Sequence, residues 1–201
     1  MLPIELLFAI ASFAFVTSAT PGPNNIMLTA SGANFGFVKT LPHIAGIVAG
    51  IALLNLGIGL GLGALFQQFP IVQQVLKIAG SAYLLWLAVK LLRFSYVSDK
   101  NNNNAKPFSF FQALSFQYIN PKAWVMVISA NASFSLSGEQ YWISVWSIIL
   151  VFALIGPPSI MIWAAFGHLI KRYLANPTFL KLFNISMATL TAACIFFIWA
   201  D

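Results

Sequence analysis

The chain has 201 residues, of which 60% are hydrophobic and only 7% are charged. Charged residues make up about 25% of an ordinary soluble domain, so this composition excludes a soluble globular protein and predicts an integral membrane protein. The net charge of +6 does not indicate nucleic acid as a partner, because the basic residues are few and lie in connecting segments. The single cysteine, Cys194, excludes an internal disulfide.

Six apolar runs are long enough to cross the ~30 Å hydrocarbon layer of a lipid bilayer. The first resembles the core of a signal peptide, but its leading segment carries Glu5 and no Lys or Arg, so we interpret it as a retained span. The runs predict an all-α, polytopic membrane protein with spans near residues 4–26, 41–66, 71–93, 108–134, 141–167 and 180–199.

The basic residues predict the orientation of these spans, because Lys and Arg accumulate in cytoplasmic loops. The connections at residues 67–74 and 135–140 contain neither Lys nor Arg. The connections that follow spans one, three and five carry or adjoin the basic residues Lys39, Lys90, Arg93, Lys100, Lys106, Lys171, Arg172 and Lys181. We therefore expect these three connections in the cytoplasm and both termini on the outer side.

The longest polar stretch is SYVSDKNNNNAKP at residues 95–107, which is typical of a flexible cytoplasmic linker. It divides the chain into a first repeat at residues 1–94 and a second repeat at residues 108–201, with three spans each. Because three is an odd number, the two repeats must insert with opposite topology. This layout predicts two inverted three-helix repeats, as in secondary transporters.

The first span ends in the segment ATPGPNN at residues 19–25. Pro21 and Pro23 have no N–H, so the carbonyls of Thr17 and Ala19 lose their usual helical donors. Such a break persists in a membrane only where it is buried in protein or lines a watery cavity. A new helix that begins near Pro23 would direct unpaired N–H groups at a ligand. A plain kink, or a turn at the membrane surface, is the structural alternative.

The fourth span is interrupted in the corresponding place by the segment QYINPKAW at residues 117–124. Pro121 releases the carbonyl of Gln117, and Asn120 suits the N-cap of a restarted half-helix. Paired interruptions in corresponding spans of two repeats point to the substrate site of a transporter. We therefore predict a substrate-binding site formed by Pro21, Gly22, Pro23, Asn24, Asn25, Asn120, Pro121 and Lys122.

Lys122 places an ammonium deep in a span, at a helix N-terminus whose dipole disfavours cations. A substrate carboxylate bound between Lys122 and the half-helix N–H groups would relieve this penalty; the alternative is that Lys122 extends to the cytoplasmic surface. For the ammonium of an amino acid, we expect the released carbonyls of Thr17, Ala19 and Gln117 to be acceptors, together with the side-chain oxygens of Asn24, Asn25 and Asn120.

The motifs ATPGPNN and INPKAW resemble the lysine-exporter (LysE) superfamily, and the similarity extends over the whole chain in length, span count and motif placement. Within it, the segments MLTASGANFGF and AGSAYLLWLAVKL are similar to the threonine/homoserine-exporter branch and its cysteine and O-acetylserine exporters. The resemblance implies export of small neutral amino acids or their derivatives across the bacterial inner membrane, driven by the proton gradient. It implies a multi-pass protein with periplasmic termini and no cofactor or metal, and it leaves a homo-oligomer open.

A proton relay is not visible in the sequence, because all four acidic residues lie at span ends or in loops. The candidate proton carriers are His43 and His168, together with Lys122, although both histidines also suit ordinary interfacial positions.

An enzyme is disfavoured, since the spans hold no HExxH, no aspartate pair and no GxSG motif, and the segment TASG at residues 29–32 lacks the first glycine. A channel or a structural membrane protein remains as the alternative to a carrier.

Overall fold

The computed structural model describes residues 2–62, 106–170, 172–173 and 176–199, together with isolated positions between 71 and 92. Regular structure in this part of the chain is helical throughout. The helices are α1 (Ile4–Ala19), α2 (Pro23–Phe35), α3 (Phe37–Gly57), α4 (Phe110–Phe116), α5 (Pro121–Phe134), α6 (Tyr141–Ile170) and α7 (Pro177–Trp199). A π-helical turn, Ile58–Leu62, extends α3, and a short 3-10 turn, Gly138–Gln140, precedes α6.

Among the described residues, two helices are long and apolar enough to cross a membrane, and a third candidate span is formed if the bent pair α1 and α2 is one unit. The axes of α1 and α2 differ in direction by 58°. These spans support an integral membrane protein, and the regular structure of its described part is all helical. Most of the predicted third span and most of the 95–107 linker lie outside the described residues, so these residues do not test the six-span arrangement.

Several helices extend beyond the predicted spans. The second span begins at Phe37 rather than at residue 41, so Pro42 lies inside α3. The first span does not end near residue 26, because α2 continues to Phe35. The fifth span continues through Pro157 and Pro158 as one helix of 30 residues. Proline therefore breaks the helix at two sites and is tolerated within helices at two others.

Local sequence explains where the shorter helices begin and end. Ser109 caps α4: its hydroxyl accepts from the N–H of Gln112, whose side chain accepts in return from the N–H of Ser109. Asn120 caps α5, and its Oδ1 accepts from the N–H of Lys122 at 3.2 Å. Gly36 joins α2 to α3 with φ +85, a left-handed value that favours glycine.

The long helix α6 packs against α1, α2 and α3, and α4 packs against α3. α2 and α6 approach closely because each helix presents a glycine to the backbone of the other. A Cβ at Gly32 would collide with the carbonyl oxygen of Ala164, and a Cβ at Gly167 would collide with that of Thr29. Small residues at helix contacts allow such backbone approach in membranes. The contact holds the second half of α2 against the C-terminal part of α6.

Candidate functional site

The two predicted helix breaks meet in the structure through Lys122. Its Nζ donates to the carbonyl oxygen of Thr20 at 2.7 Å, to Thr20 Oγ1 at 2.9 Å and to the carbonyl oxygen of Pro21 at 3.2 Å. These acceptors follow the C-terminus of α1, where the negative end of the helix dipole favours a cation. The side chain of Lys122 therefore extends from the N-terminus of α5 to the C-terminus of α1.

Gly22 makes room for this contact. Its backbone is extended, with φ −179, a value that any residue adopts. A Cβ at this position would lie 2.6 Å from Cδ and 3.0 Å from Nζ of Lys122. The glycine of the PGPNN motif is thus explained by the side chain that passes over it.

Side chains from two other helices bind the remaining carbonyls at the end of α1. Asn25 Nδ2, on α2, donates to the carbonyl oxygens of Ser18 at 2.8 Å and Thr20 at 2.7 Å. Trp163 Nε1, on α6, donates to the carbonyl oxygen of Ala19 at 3.0 Å. Three helices therefore hold the first break in place, and its carbonyls are satisfied inside the protein.

The released carbonyls, which are expected to receive the substrate ammonium, already accept hydrogen bonds inside the protein. Besides Ala19, the carbonyl oxygen of Thr17 already accepts from Thr20 Oγ1 at 3.0 Å, and that of Gln117 accepts from the N–H of Asn120 at 3.3 Å. Each carbonyl oxygen has a second lone pair, so its contact with the substrate ammonium stays a prediction. Side-chain oxygens remain as acceptors for a ligand.

A reciprocal amide pair joins the two breaks a second time. Asn24 Nδ2 donates to Gln117 Oε1 at 2.8 Å, and Gln117 Nε2 donates to Asn24 Oδ1 at 3.1 Å. Gln117 is fully buried, and Asn120 Nδ2 also approaches its Oε1 at 3.4 Å. We call Asn24 and Gln117 the inner amide pair; it connects α2 to the turn between α4 and α5.

The two half-helix starts differ in their free backbone donors. At α5, the carbonyl and side chain of Asn120 receive the first N–H groups. At α2, no side chain caps the N-terminus, and Ile26 is the first residue whose N–H bonds within the helix, to Gly22. The N–H groups of Asn24 and Asn25 therefore have no partner inside α2, which is the arrangement that binds anions at helix N-termini.

A pocket of about 580 Å³, including its open mouth, lies beside these breaks. Its polar lining comes from Thr17, Ser18, Gly22, Asn24, Asn25, Asn120 and Lys122. Its apolar lining comes from Ile47, Val48, Ile51, Ala52, Ala123, Met126, Ile149, Phe152, Ala153, Gly156 and Ile160. The polar groups are at the breaks and the apolar groups on α3, α5 and α6.

Five of the eight predicted site residues line this pocket: Gly22, Asn24, Asn25, Asn120 and Lys122. The three prolines do not line it; they set where the helices break. The sequence did not single out Trp163, because nothing in its apolar surroundings distinguishes it from the other tryptophans of the chain.

Neither histidine lines the pocket. His43 is 1% exposed on α3; neither ring nitrogen has a hydrogen-bond partner, and the ring lies 5.2 Å from that of Phe108. His168 is exposed near the end of α6, facing Gly36.

Comparisons with known proteins agree over nearly the whole chain. A cysteine/O-acetylserine efflux protein of Shigella flexneri serotype 5b (strain 8401) is 32% identical over 197 residues, which cover 96% of this chain and 97% of that protein. The cysteine/O-acetylserine efflux protein of Escherichia coli (strain K12) is 31% identical over 192 residues, which cover 94% and 95%. No solved structure matches the chain.

The family model for the LysE type translocator matches residues 15–200, which contain both helix breaks and the whole pocket lining. An integral membrane architecture, two half-helix ends that meet at a pocket and full-length relatives named as efflux proteins agree with this match. The chain therefore belongs to the family of LysE type translocators.

Proposed function

We propose that this protein exports small neutral amino acids or their derivatives, of the cysteine/O-acetylserine or threonine/homoserine type, across the bacterial inner membrane. The observation that carries the proposal is the pocket between the two helix breaks, where Lys122 of the second break contacts Thr20 and Pro21 of the first. Half-helix ends around a pocket are the usual substrate sites of secondary transporters. The names of the full-length relatives support the substrate class.

The proposed architecture is six membrane helices in two inverted repeats, residues 1–94 and 108–201, joined by a cytoplasmic linker at 95–107. Corresponding breaks in α1–α2 and α4–α5 support the repeat relation. Both termini would face the periplasm. Alternating access would move one repeat against the other around the pocket, and Lys122 and the inner amide pair are the contacts between repeats that must adjust.

The carboxylate of the substrate is proposed to bind at the start of α2, between the N–H groups of Asn24 and Asn25 and the ammonium of Lys122. The longest contact of Lys122, to Pro21 at 3.2 Å, is the one that a carboxylate would replace. Substrate binding would then loosen a contact between the breaks. In this way, binding energy is linked to movement.

The ammonium of the substrate is proposed to contact side-chain oxygens of the pocket, with Ser18 Oγ and Asn25 Oδ1 as the acceptors. The amide nitrogen of Asn25 bonds two carbonyls, which leaves its oxygen as the acceptor of that side chain. The rest of the described lining is apolar, including Ile51, Met126 and Phe152. A small uncharged side chain suits this wall, whereas a lysine side chain would bring a charge without a carboxylate among the lining residues.

The central experiment is efflux of labelled cysteine, O-acetylserine, threonine, homoserine and lysine from preloaded cells. We expect saturable export of one or two neutral members, with counterflow, and little export of lysine. Asn24→Ala and Lys122→Ala should each reduce export at least tenfold at equal membrane levels. The matched substitutions Asn34→Ala and Lys181→Ala, away from the pocket, should not. Flux without saturation or counterflow would indicate a channel instead.

Proton coupling is proposed to use His43, a buried titratable residue without a hydrogen-bond partner. Its nearest cations in sequence are Lys39, one turn earlier on α3, and Lys106, two residues before the ring that it contacts. An imposed pH gradient should accelerate export by the unmodified protein but not by His43→Phe. His168→Gln, at the exposed histidine, should keep the acceleration. Equal acceleration in both variants would remove His43 from the coupling mechanism.

A further inference from the structure

A second amide pair joins the two halves of the chain, away from the breaks. Asn131 Nδ2, on α5, donates to Asn55 Oδ1, on α3, at 2.9 Å. Asn55 is fully buried and Asn131 is 7% exposed. Each amide nitrogen also bonds a carbonyl of its own helix, Asn55 to Ile51 at 3.1 Å and Asn131 to Val127 at 2.9 Å. We call Asn55 and Asn131 the outer amide pair, because α3 and α5 end beside it.

The outer amide pair is only partly satisfied. Asn131 Oδ1 is buried and has no hydrogen-bond partner, and the same holds for the hydroxyl of Ser135, one turn further on. A buried acceptor without a donor is unfavourable compared with an apolar side chain of the same size. Packing alone therefore does not explain amides at these positions. Water that reached Asn131 Oδ1 would remove the penalty, so the closed contact is poised to separate.

The position of the pair relative to the pocket indicates its role. Ile51 on α3 and Met126 on α5 line the pocket, and Asn55 lies one turn beyond Ile51. The inner amide pair, Asn24 and Gln117, lies at the end of the pocket near the breaks. Each pair joins the first half of the chain to the second, and along α3 the outer amide pair lies beyond the pocket-lining residues Ile51 and Ala52.

Aromatic rings close the same region. The ring of Phe13 lies 5.6 Å from that of Phe134, which is one turn beyond Asn131, and 6.3 Å from that of Phe152. Phe152 is part of the pocket lining. Asn131 and Phe134 therefore place the amide contact and the ring contact on adjacent turns of α5.

We infer that Asn55 and Asn131 form the outer gate of the pocket: their hydrogen bond closes the exit toward the outer side and breaks when that exit opens. The inference rests on the proposed carrier function, and it assigns Asn55 and Asn131 a role in that function. On opening, Asn131 Oδ1 gains donors from water or from the ammonium of the departing amino acid. An amide contact suits this role because both its closed and its wetted states are hydrogen-bonded, whereas a leucine contact would resist wetting.

The test measures access to the pocket by a membrane-impermeant maleimide. Ala52→Cys in a Cys194→Ser background places one thiol in the lining, and right-side-out and everted vesicles expose the two sides. We expect Asn55→Ala or Asn131→Ala to increase the labelling rate from the outer side at least threefold. Asn34→Ala, which removes an amide bond within α2 only, should leave the rate unchanged. Unchanged labelling in the gate variants, or an increase from the cytoplasmic side alone, would overturn the inference.

A second variant covers the case in which the alanine proteins do not accumulate. Asn55→Leu with Asn131→Leu should keep α3 and α5 packed and reduce labelling from the outer side at least threefold, because the leucine contact does not open into water. Faster labelling in this protein would contradict a gate at this contact. The labelling experiment requires no substrate, so its outcome is independent of the export assay. The gate can be contradicted while amino-acid export is observed, and it can be supported even if the exported molecule is not an amino acid.

Discussion

At the scale of single residues, Lys122 shows how a membrane charge is accommodated. The sequence predicts that its ammonium lies at a helix N-terminus, where the helix dipole disfavours a cation, and it suggests a bound anion as the partner. In the structure, the same ammonium contacts three oxygens that follow α1. A helix C-terminus attracts the cation that a helix N-terminus disfavours. The residue thus links two breaks that are about a hundred residues apart in sequence.

Replacement of this ammonium tests the link. Lys122→Met keeps most of the apolar stem and removes the donors to Thr20 and Pro21. We expect export to fall at least tenfold, a loss of about 1.4 kcal/mol in transition-state stabilisation. Lys122→Arg, which keeps a charged donor, should retain more activity than Lys122→Met. The measurement is initial efflux at equal membrane levels, with Lys181→Met as the matched change at an exposed lysine. Full activity of Lys122→Met would show that the contact is dispensable.

Gly22 provides a second test at this scale. Gly22→Ala would bring a Cβ to 2.6 Å from Lys122 Cδ, so the lysine must move away from Thr20. We expect a lower melting temperature in detergent and reduced export. In a Lys122→Ala background, the same glycine change should cost little more, because the colliding stem is gone. Additive effects of the two substitutions would indicate that Gly22 acts independently of Lys122.

At the scale of helices, local chemistry set most of the starting points. Proline at the first position and asparagine at the cap predicted the starts of α2 and α5, and both are confirmed. Proline alone does not define a break, because Pro42, Pro157 and Pro158 lie inside continuous helices. Neighbouring helices can stabilise a helix that contains proline in a membrane, and this context is not contained in the local sequence.

The contact of α2 with α6 gives the prediction at this scale. Gly167→Ala would drive a Cβ into the carbonyl of Thr29, so the helices must separate. We expect destabilisation of about 1–3 kcal/mol, the usual cost of overpacking, together with loss of export. The same change at Gly156, also on α6, would place a Cβ 3.8 Å from Ser18 Oγ, an ordinary contact. Melting temperatures in detergent compare the two variants, and equal losses would contradict the importance of the close approach.

At the scale of the whole molecule, contacts between the first and second halves of the chain lie beside the pocket. The inner amide pair and Lys122 lie at the breaks, and the outer amide pair lies between α3 and α5. Because each contact joins opposite halves, relative movement of the halves must break some of them. This arrangement is what the proposed alternating access requires.

The orientation of the molecule can be tested by labelling two exposed positions. Lys106 precedes α4 and Glu139 precedes α6, and both side chains are exposed. In a Cys194→Ser background, Glu139→Cys should react with an impermeant thiol reagent in intact cells whose outer membrane is permeabilised. Lys106→Cys should react only in everted vesicles, because the basic connections face the cytoplasm. The reverse pattern would invert the proposed topology, and labelling of both positions from one side would exclude it.

The sequence by itself determined the membrane class, both helix breaks and five of the residues that line the pocket. Apolar run length, proline without an N–H and asparagine at a cap act over a few neighbouring residues, so these features can be identified without a fold. Only the tertiary structure decided the partners: Lys122 with Thr20, Trp163 with Ala19, and Asn55 with Asn131. These pairs join residues far apart in the chain, and helix packing, rather than local preference, determines which polar groups meet in a membrane interior.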